Sequence, residues 1–246
     1  MINVLILSSN DTEIIDCYGI NKCEEILNQS ESIQAKKIDI NDIHKLTNKN
    51  TDVLIIAGGE PRQIKIRMKG KGSQAIRNFI SNGGGYVGIC AGAVLAIPKS
   101  PSLELLQYVK TVNDNVWWES GICGDVKLKL CSDKTCDIIE QNNSIKSICD
   151  RFNTTNLFSY KNGPLLNIKQ SKKNLPFAPV PLATFNGPMR YTNQTISDEL
   201  SLEMNDSIAI ILGTYNKGLV LISSVHPEYG NDEKLLSEMC MAVIKK

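Results

Sequence analysis

Histidine is nearly missing from this chain: there are two in 246 residues. Any chemistry that needs an imidazole near neutral pH therefore falls to His44 or His226. An excess of one charge is missing too. Lys and Arg number 27 against 26 Asp and Glu, a net charge of +1, which leaves no electrostatic footprint for nucleic acid or an anionic membrane surface. No apolar run approaches the ~20 residues of a bilayer-spanning helix. The first such run, Ile2 to Leu7, has no basic segment before it and no small-residue cleavage site after it, so a cytoplasmic protein without a membrane partner is expected. The eight cysteines fall at irregular intervals and are expected to be mostly reduced. Neither Cys131 and Cys136 nor Cys17 and Cys23 has zinc-type spacing partners, so no metal and no cofactor is expected. There is no internal repeat of solenoid length.

What is present is the alternation of βαβ units. Ile2 to Leu7, Ile33 to Ile40 and Asp52 to Ala57 read as buried strands. Ile20, Cys23, Ile26 and Leu27 recur at helical spacing over about residues 19 to 29, and Ala75, Ile76, Phe79 and Ile80 mark a second helix. This predicts an α/β fold, a doubly wound and mostly parallel sheet flanked by helices, with its site in the loops at the strand C-termini. The whole of 1–246 reads as one domain. Near the end, Ile208 to Leu212 and Gly218 to Val225 form a hairpin of sheet strands, closed by a helix over Asp232 to Ile244. Between about 98 and 205 the pattern has no sustained period. Short strand-like pieces, Val126 to Leu130 and Leu182 to Phe185, predict hairpins inserted around the sheet, with Lys161 to Pro181 a mobile loop.

Two local patterns carry chemistry. The apolar strand ending in Gly88-Ile89-Cys90-Ala91-Gly92 runs straight into a helix-forming stretch. Residues without Cβ on either side of Cys90 allow a sharp strand-to-helix turn with the sulfur at its tip, where a helix N-terminus favours thiolate. The plainer reading is a tight packing turn around a buried cysteine. The second pattern, His226-Pro227-Glu228, follows a buried strand and places a carboxylate two residues from one of the two histidines. Alone, His226 reads as a structural histidine at a strand end. Beside a nucleophilic cysteine it supplies the base, and Glu228 the acceptor that holds its tautomer. Oxyanion stabilisation needs two N–H donors. Those of Ala91, just after the nucleophile, and Gly59, in the Gly58-Gly59-Glu60 turn of an adjacent strand, are the candidates. Glu60, Arg62 and Arg67 after that turn read more simply as solvated, and His44 as exposed. Trp117-Trp118-Glu119 is either a pocket wall or core.

The Gly-Gly turn, the Gly-Ile-Cys-Ala-Gly elbow and the His-Pro-Glu segment, in that order, resemble the class I glutamine amidotransferase-like superfamily. The stretch from Lys71-Gly72-Ser73-Gln74 through Gly84-Gly85-Tyr86 to Cys90-Ala91-Gly92-Ala93, with Val225 to Tyr229 and Phe185-Asn186-Gly187-Pro188 downstream, is more specifically similar to the N-terminal domain of eukaryotic biotin–protein ligases in its free-standing form. The resemblance covers about residues 1–110 and 180–246. It implies Cys90, His226 and Glu228 as catalytic residues, Gly58, Glu60 and Asn186 as substrate contacts, and a small-molecule or peptide carboxamide as substrate. One departure matters. Glutamine-hydrolysing members carry a polar pair ending in Gln after the elbow glycine, where this chain has Ala93 and Val94. Glutamine itself is thereby in doubt, and the chain has no room for a biotin ligase catalytic domain. Two functions remain open: a cysteine-dependent hydrolase or amidase, and a binding or regulatory module acting in trans on a biotin ligase or another protein.

Overall fold

A computed structural model of the chain describes residues 1–98, 102–112, 122–131, 142–152, 156–169, 178–187, 189, 202–230 and 232–244. Three strands open it. β1 (Ile2–Ser8) pairs in parallel with β2 (Ile33–Asp39) on one side and β3 (Val53–Ile56) on the other. β4 (Gly85–Ile89) lies beside β3, and β11 (Gly218–Ser223) beside β4, both parallel. Every residue of β3 and of β4 is buried, as central strands covered on both faces require. The chain steps one way from β1 to β2, then crosses back past β1 to β3 and continues in that direction to β4. The sheet therefore has a topological switch point beside the C-terminal end of β1, where open α/β sheets form their crevices.

Helix α1 (Cys17–Asn28) starts where the Asp16 carboxylate accepts the Gly19 N–H at 3.2 Å, and it buries Ile20, Cys23, Ile26 and Leu27. Helix α2 (Pro61–Ser81) is capped by Glu60, which accepts from Arg62 and Gln63, with Pro61 in its first turn. It is longer than the periodicity of residues 75–80 predicted. It bends at Lys69, whose φ of 55° breaks the helical run just before Gly70, and a basic Lys-Gly-Lys-Gly stretch conceals its first half from a hydrophobic pattern. The short α3 (Ala91–Ala96) follows the Cys90 turn and packs on α2. Because β-crossover-β connections are right-handed, reversing direction at β1 puts α1 and α2 on opposite faces.

Strands β5 (Val109–Thr111), β6 (Cys123–Leu130), β7 (Leu157–Lys161), β8 (Leu166–Ile168) and β9 (Val180–Phe185) come from the region expected to be irregular. They do not decorate the sheet but continue it. Beyond β11, β10 (Ile208–Tyr215) pairs antiparallel as the predicted hairpin partner, and the order runs β2-β1-β3-β4-β11-β10-β9-β6-β7, an 11-stranded sheet among the described residues once β5 and β8 are included. The sheet is thus mixed, with a parallel core on which the antiparallel half is built. Helix α4 (Asn143–Phe152), also unforeseen, buries Ile145, Ile148, Cys149 and Phe152. It packs on the closing helix α5 (Glu233–Ala242), which also meets α1. Arg151 joins the two helices through Asp232 and through Glu238 at 2.7 Å. The segment expected to be a mobile loop from Lys161 begins in β7 and includes β8, which pairs with β5 and β10; residues 170–177 of that segment, like Trp117-Trp118-Glu119, lie outside the described residues. Among those residues no helix is long and apolar enough to cross a membrane.

Candidate functional site

Cys90 holds a backbone conformation that few side chains tolerate, φ 52° and ψ −104°, between the end of β4 and the start of α3. The two glycines around it are there for space. A Cβ on Gly92 would lie 1.9 Å from the Ile56 carbonyl oxygen, and one on Gly88 2.7 Å from the Gly92 backbone. The turn is further tied by the Tyr86 hydroxyl, which donates to the Gly92 carbonyl at 2.7 Å, and by the Gly92 N–H, which donates to Ala57 at 3.3 Å. Cys90 is 8 % exposed. As first residue of α3, Ala91 has an N–H with no acceptor inside the helix.

The turn after β3 faces this elbow. The Gly58 carbonyl accepts the Asp16 N–H at 3.1 Å and the Glu60 N–H reaches the Ile14 carbonyl at 2.9 Å, while the Ala57 carbonyl points to Gly92. Gly59 shares a trans peptide plane with the Gly58 carbonyl, so its N–H points opposite to that carbonyl, away from Asp16. Its φ of 152° and the 2.4 Å that would separate an added Cβ from the Ile14 oxygen make glycine necessary there.

His226 follows β11 after Ser224 and Val225, 2 % exposed. Its Nδ1 lies 2.7 Å from Glu228 Oε1, itself on a buried 3-10 turn begun by Pro227. Its Nε2 lies 3.2 Å from the Lys161 carbonyl oxygen, which also accepts the Cys90 thiol at 3.6 Å. Sulfur and ring thus share one acceptor. Burial alone would drive the imidazole toward its neutral form, but the Glu228 carboxylate and Cys90 outweigh it and hold its pKa well above the usual value. In the imidazolium so favoured, Nδ1–H donates to Glu228 and Nε2–H to Lys161. Glu228 Oε2 has no hydrogen-bond partner among the described residues.

Lys161 and Asn162 are the residues that sequence reasoning missed. They end β7, whose Ser159 carbonyl accepts the His226 N–H at 2.8 Å. The turn is locked by the Tyr160 hydroxyl on the Gly163 carbonyl at 2.7 Å, by Asn162 at φ 53°, and by Gly163, where a Cβ would sit 2.0 Å from the Ser224 oxygen. The available signal was Asn162-Gly163-Pro164, a turn sequence after an alternating apolar run.

A cleft of about 440 Å³ opens here, walled by Glu13 and Asp16 after β1, by Gly58, Gly59 and Glu60 after β3, and by the Lys161 turn, and it reaches Cys90 and His226. Of the residues singled out from sequence, the cleft brings together Cys90, His226, Gly58, Gly59 and Glu60, with Glu228 behind the ring and Ala91 beside the sulfur. It does not include Asn186. That residue is exposed after β9 and donates its N–H to the Lys127 carbonyl at 2.9 Å. The strand that precedes it, β9, sits beyond β10, two places from β11. Arg62 and Arg67 are exposed, Arg67 reaching Asp11 at 3.2 Å, and His44 is exposed. Among the described residues no cluster of His, Cys, Asp or Glu could hold a metal ion.

Comparison with known proteins agrees with this architecture. No curated protein matches the sequence. The chain superposes on a glutamine amidotransferase crystal structure with a TM-score of 0.58 at 18 % identity, covering 96 % of this chain and 98 % of that one. A ThuA-like protein from Parabacteroides merdae gives 0.58 at 11 % identity, covering 100 % and 92 %, and a cytoplasmic protein from Salmonella typhimurium gives 0.53 at 13 %, covering all of both chains. Residues 4–100, which span β1 through the Cys90 elbow, match the family described as the N-terminal domain of biotin–protein ligase, carried on a glutamine amidotransferase-like α/β fold.

Proposed function

We propose that this chain is a cysteine-dependent hydrolase that cleaves a carboxamide-type C–N bond. The observation that carries the reading is Cys90 at positive φ on a helix N-terminus, sharing an acceptor with a His226 ring whose far nitrogen is held by Glu228 at 2.7 Å. In the reaction, neutral His226 takes the Cys90 proton on Nε2 to become the imidazolium, and the sulfur adds as thiolate to the carboxamide carbon. The N–H groups of Gly59 and Ala91 bind the resulting oxyanion. His226 then protonates the nitrogen as the C–N bond breaks, leaving a thioester and a free amine or ammonia. Water attacks the thioester, His226 takes its proton, and the thiol and a carboxylic acid are released. Glu228 keeps the ring oriented throughout.

The test is alkylation followed by mass spectrometry across pH. Cys90 should react faster than every other cysteine below its unperturbed pKa of ~8.5, and His226→Ala should abolish the advantage. A Cys90 no faster than the rest, or indifferent to His226, removes the hydrolase reading.

One feature favours a second reading, a non-catalytic module acting in trans on a biotin ligase or another protein. Ala93 and Val94 are buried and apolar where glutamine hydrolases hold substrate with polar groups. A reactive Cys90 that turns over no carboxamide in a broad screen would favour this reading.

A further inference from the structure

The His226 ring has a second support that the sulfur, Glu228 and the oxyanion donors do not explain. Tyr229 stacks on it with ring centroids 5.3 Å apart and planes inclined by 24°. The Tyr229 hydroxyl donates to Asp16 Oδ2. Asp16 is the same residue whose Oδ1 caps α1 and whose N–H binds Gly58. Gly19 makes room for the contact, since a Cβ there would sit 2.8 Å from the Tyr229 hydroxyl oxygen. Tyr18 stacks on Tyr229 at 5.8 Å and 14°, and Gly58 approaches the ring edge, where an added Cβ would lie 3.3 Å from His226 Cε1. The imidazole is thus met on its face by Tyr229, on its edge by Gly58, at Nδ1 by Glu228 and at Nε2 by the Lys161 carbonyl.

We infer that Asp16 and Tyr229 are positioning residues that fix the His226 ring and stabilise its protonated form. A carboxylate drawing on the phenol proton makes the ring face more attractive to an imidazolium stacked on it, and the Asp16 charge acts on the imidazolium directly. Its negative charge is secure. Burial would raise the Asp16 pKa, but the bonds from Tyr229 and Gly19, together with Lys161 and His226, bring it below the usual carboxylate value. The other charged or titratable groups around His226 are Glu228 on its own turn, Cys90 on the elbow, and Lys161 from β7, whose Nζ lies 3.6 Å from Asp16 Oδ2 and 5.6 Å from the Tyr229 ring centre. Glu13 and Glu60 stand on the cleft wall. The buried thiols of Cys23 and Cys240 stay neutral, burial pushing Cys240 up to about 12 and Cys23 well above its usual value. The inference rests on His226 being the group that exchanges the Cys90 proton.

The experiment is an NMR titration of the histidine rings in the intact wild-type chain, Asp16→Asn and Tyr229→Phe. With two histidines, His44→Gln assigns both signals. Asn retains the helix cap and Phe retains the stacked ring, so a merely structural role predicts an unchanged His226 titration. The expected result is a His226 proton affinity about tenfold lower in Asp16→Asn and a smaller loss in Tyr229→Phe, with His44 unmoved. Identical His226 titrations in all three proteins overturn the inference. Alkylation of Cys90 in the same samples separates the two claims. If His226 responds to Asp16→Asn while Cys90 ignores His226→Ala, the support stands and the hydrolase reading falls. If Cys90 depends on His226 and the titration does not move, the reverse holds.

Discussion

The backbone strain at Cys90 can be read out by comparing two substitutions of the same residue, Cys90→Ala and Cys90→Gly. Both remove the sulfur and its contact with the Lys161 carbonyl, so that loss cancels in the comparison. What differs is the Cβ. At an ordinary site, replacing Ala by Gly costs about 0.5–1 kcal/mol, because glycine gains more freedom in the unfolded chain. At φ 52° and ψ −104° the Cβ itself is the source of strain, and a non-glycine residue in such a region stores about 1–3 kcal/mol. Subtracting the first from the second predicts that Cys90→Gly is the more stable variant by about 1 kcal/mol, a factor of about 5 in the folding equilibrium. Urea unfolding of the two proteins at equal m-value measures the difference directly. A Cys90→Ala protein as stable as Cys90→Gly, or more so, would falsify the assignment of strain to this turn. It would also remove the argument that the fold holds the sulfur at the tip of an elbow against a local cost.

Three further outcomes follow from the structure. Gly163→Ala places a Cβ 2.0 Å from the Ser224 oxygen, so the Lys161 turn or the Ser224 backbone must shift; a stability loss of about 1–3 kcal/mol and an altered Cys90 alkylation rate are expected, and wild-type values for both contradict the packing described. Arg151→Met leaves Asp232 and Glu238, each about a fifth exposed, without their shared cation; about 2 kcal/mol is expected from urea midpoints, between the values for exposed and buried pairs, and a loss under 0.5 kcal/mol counts against a clamp between α4 and α5. The His226 pKa is raised on folding, so its contribution to stability is fully present below the unfolded value of ~6.5 and disappears as pH rises through the folded one. Wild type should therefore lose stability relative to His226→Gln on the alkaline side, measured as the difference of their urea midpoints at acid and alkaline pH, and a constant difference refutes the shift.

The parallel core was legible because its strands are buried on both faces. Val53 to Ile56 and Gly85 to Ile89 read as unbroken apolar runs bounded by glycine, and little else folds from such a run. The elbow and His226 were legible for a different reason: strain and rarity leave marks in a sequence, here glycines flanking one cysteine and a histidine that is one of two. The antiparallel half was legible only in part: Val126 to Leu130, Leu182 to Phe185 and Ile208 to Leu212 fall within β6, β9 and β10, while β5, β7 and β8 did not stand out. β7 alternates buried and exposed residues over only Leu157–Lys161, too short to stand out among Asn, Ser and Lys. Helix α4 carries a clear 3–4 spacing at Ile145, Ile148, Cys149 and Phe152, yet it lies between polar stretches without sustained period, from which only inserted hairpins are predicted. Asn186, which a resemblance in sequence links to the site, follows β9, a strand beyond β10.

That order also explains why the site needs the half of the sheet that was hardest to read. The three elements visible from sequence, the Gly58 turn, the Cys90 elbow and the His226 turn, come from β3, β4 and β11, which are adjacent and parallel and so end on one edge. Adjacent parallel strands bring a nucleophile and a base to the same edge, but they leave Nε2 and the sulfur open to whatever fills the next position. Here that position is filled by main-chain carbonyls of the Lys161 turn, and a main-chain carbonyl is an acceptor that no side-chain substitution removes. It accepts from Nε2–H and so favours a protonated His226. For the same reason, a substrate that enters must either share the Lys161 carbonyl with Nε2–H or displace it. The turn is held by Tyr160, Asn162 and Gly163 as well as by its contacts in the cleft, so the competition at Nε2 is decided by how far that turn yields. Gly163→Ala, which disturbs the contact between that turn and the Ser224 backbone while leaving the side chains of Cys90, His226 and Glu228 unaltered, tests how far the sulfur depends on this junction.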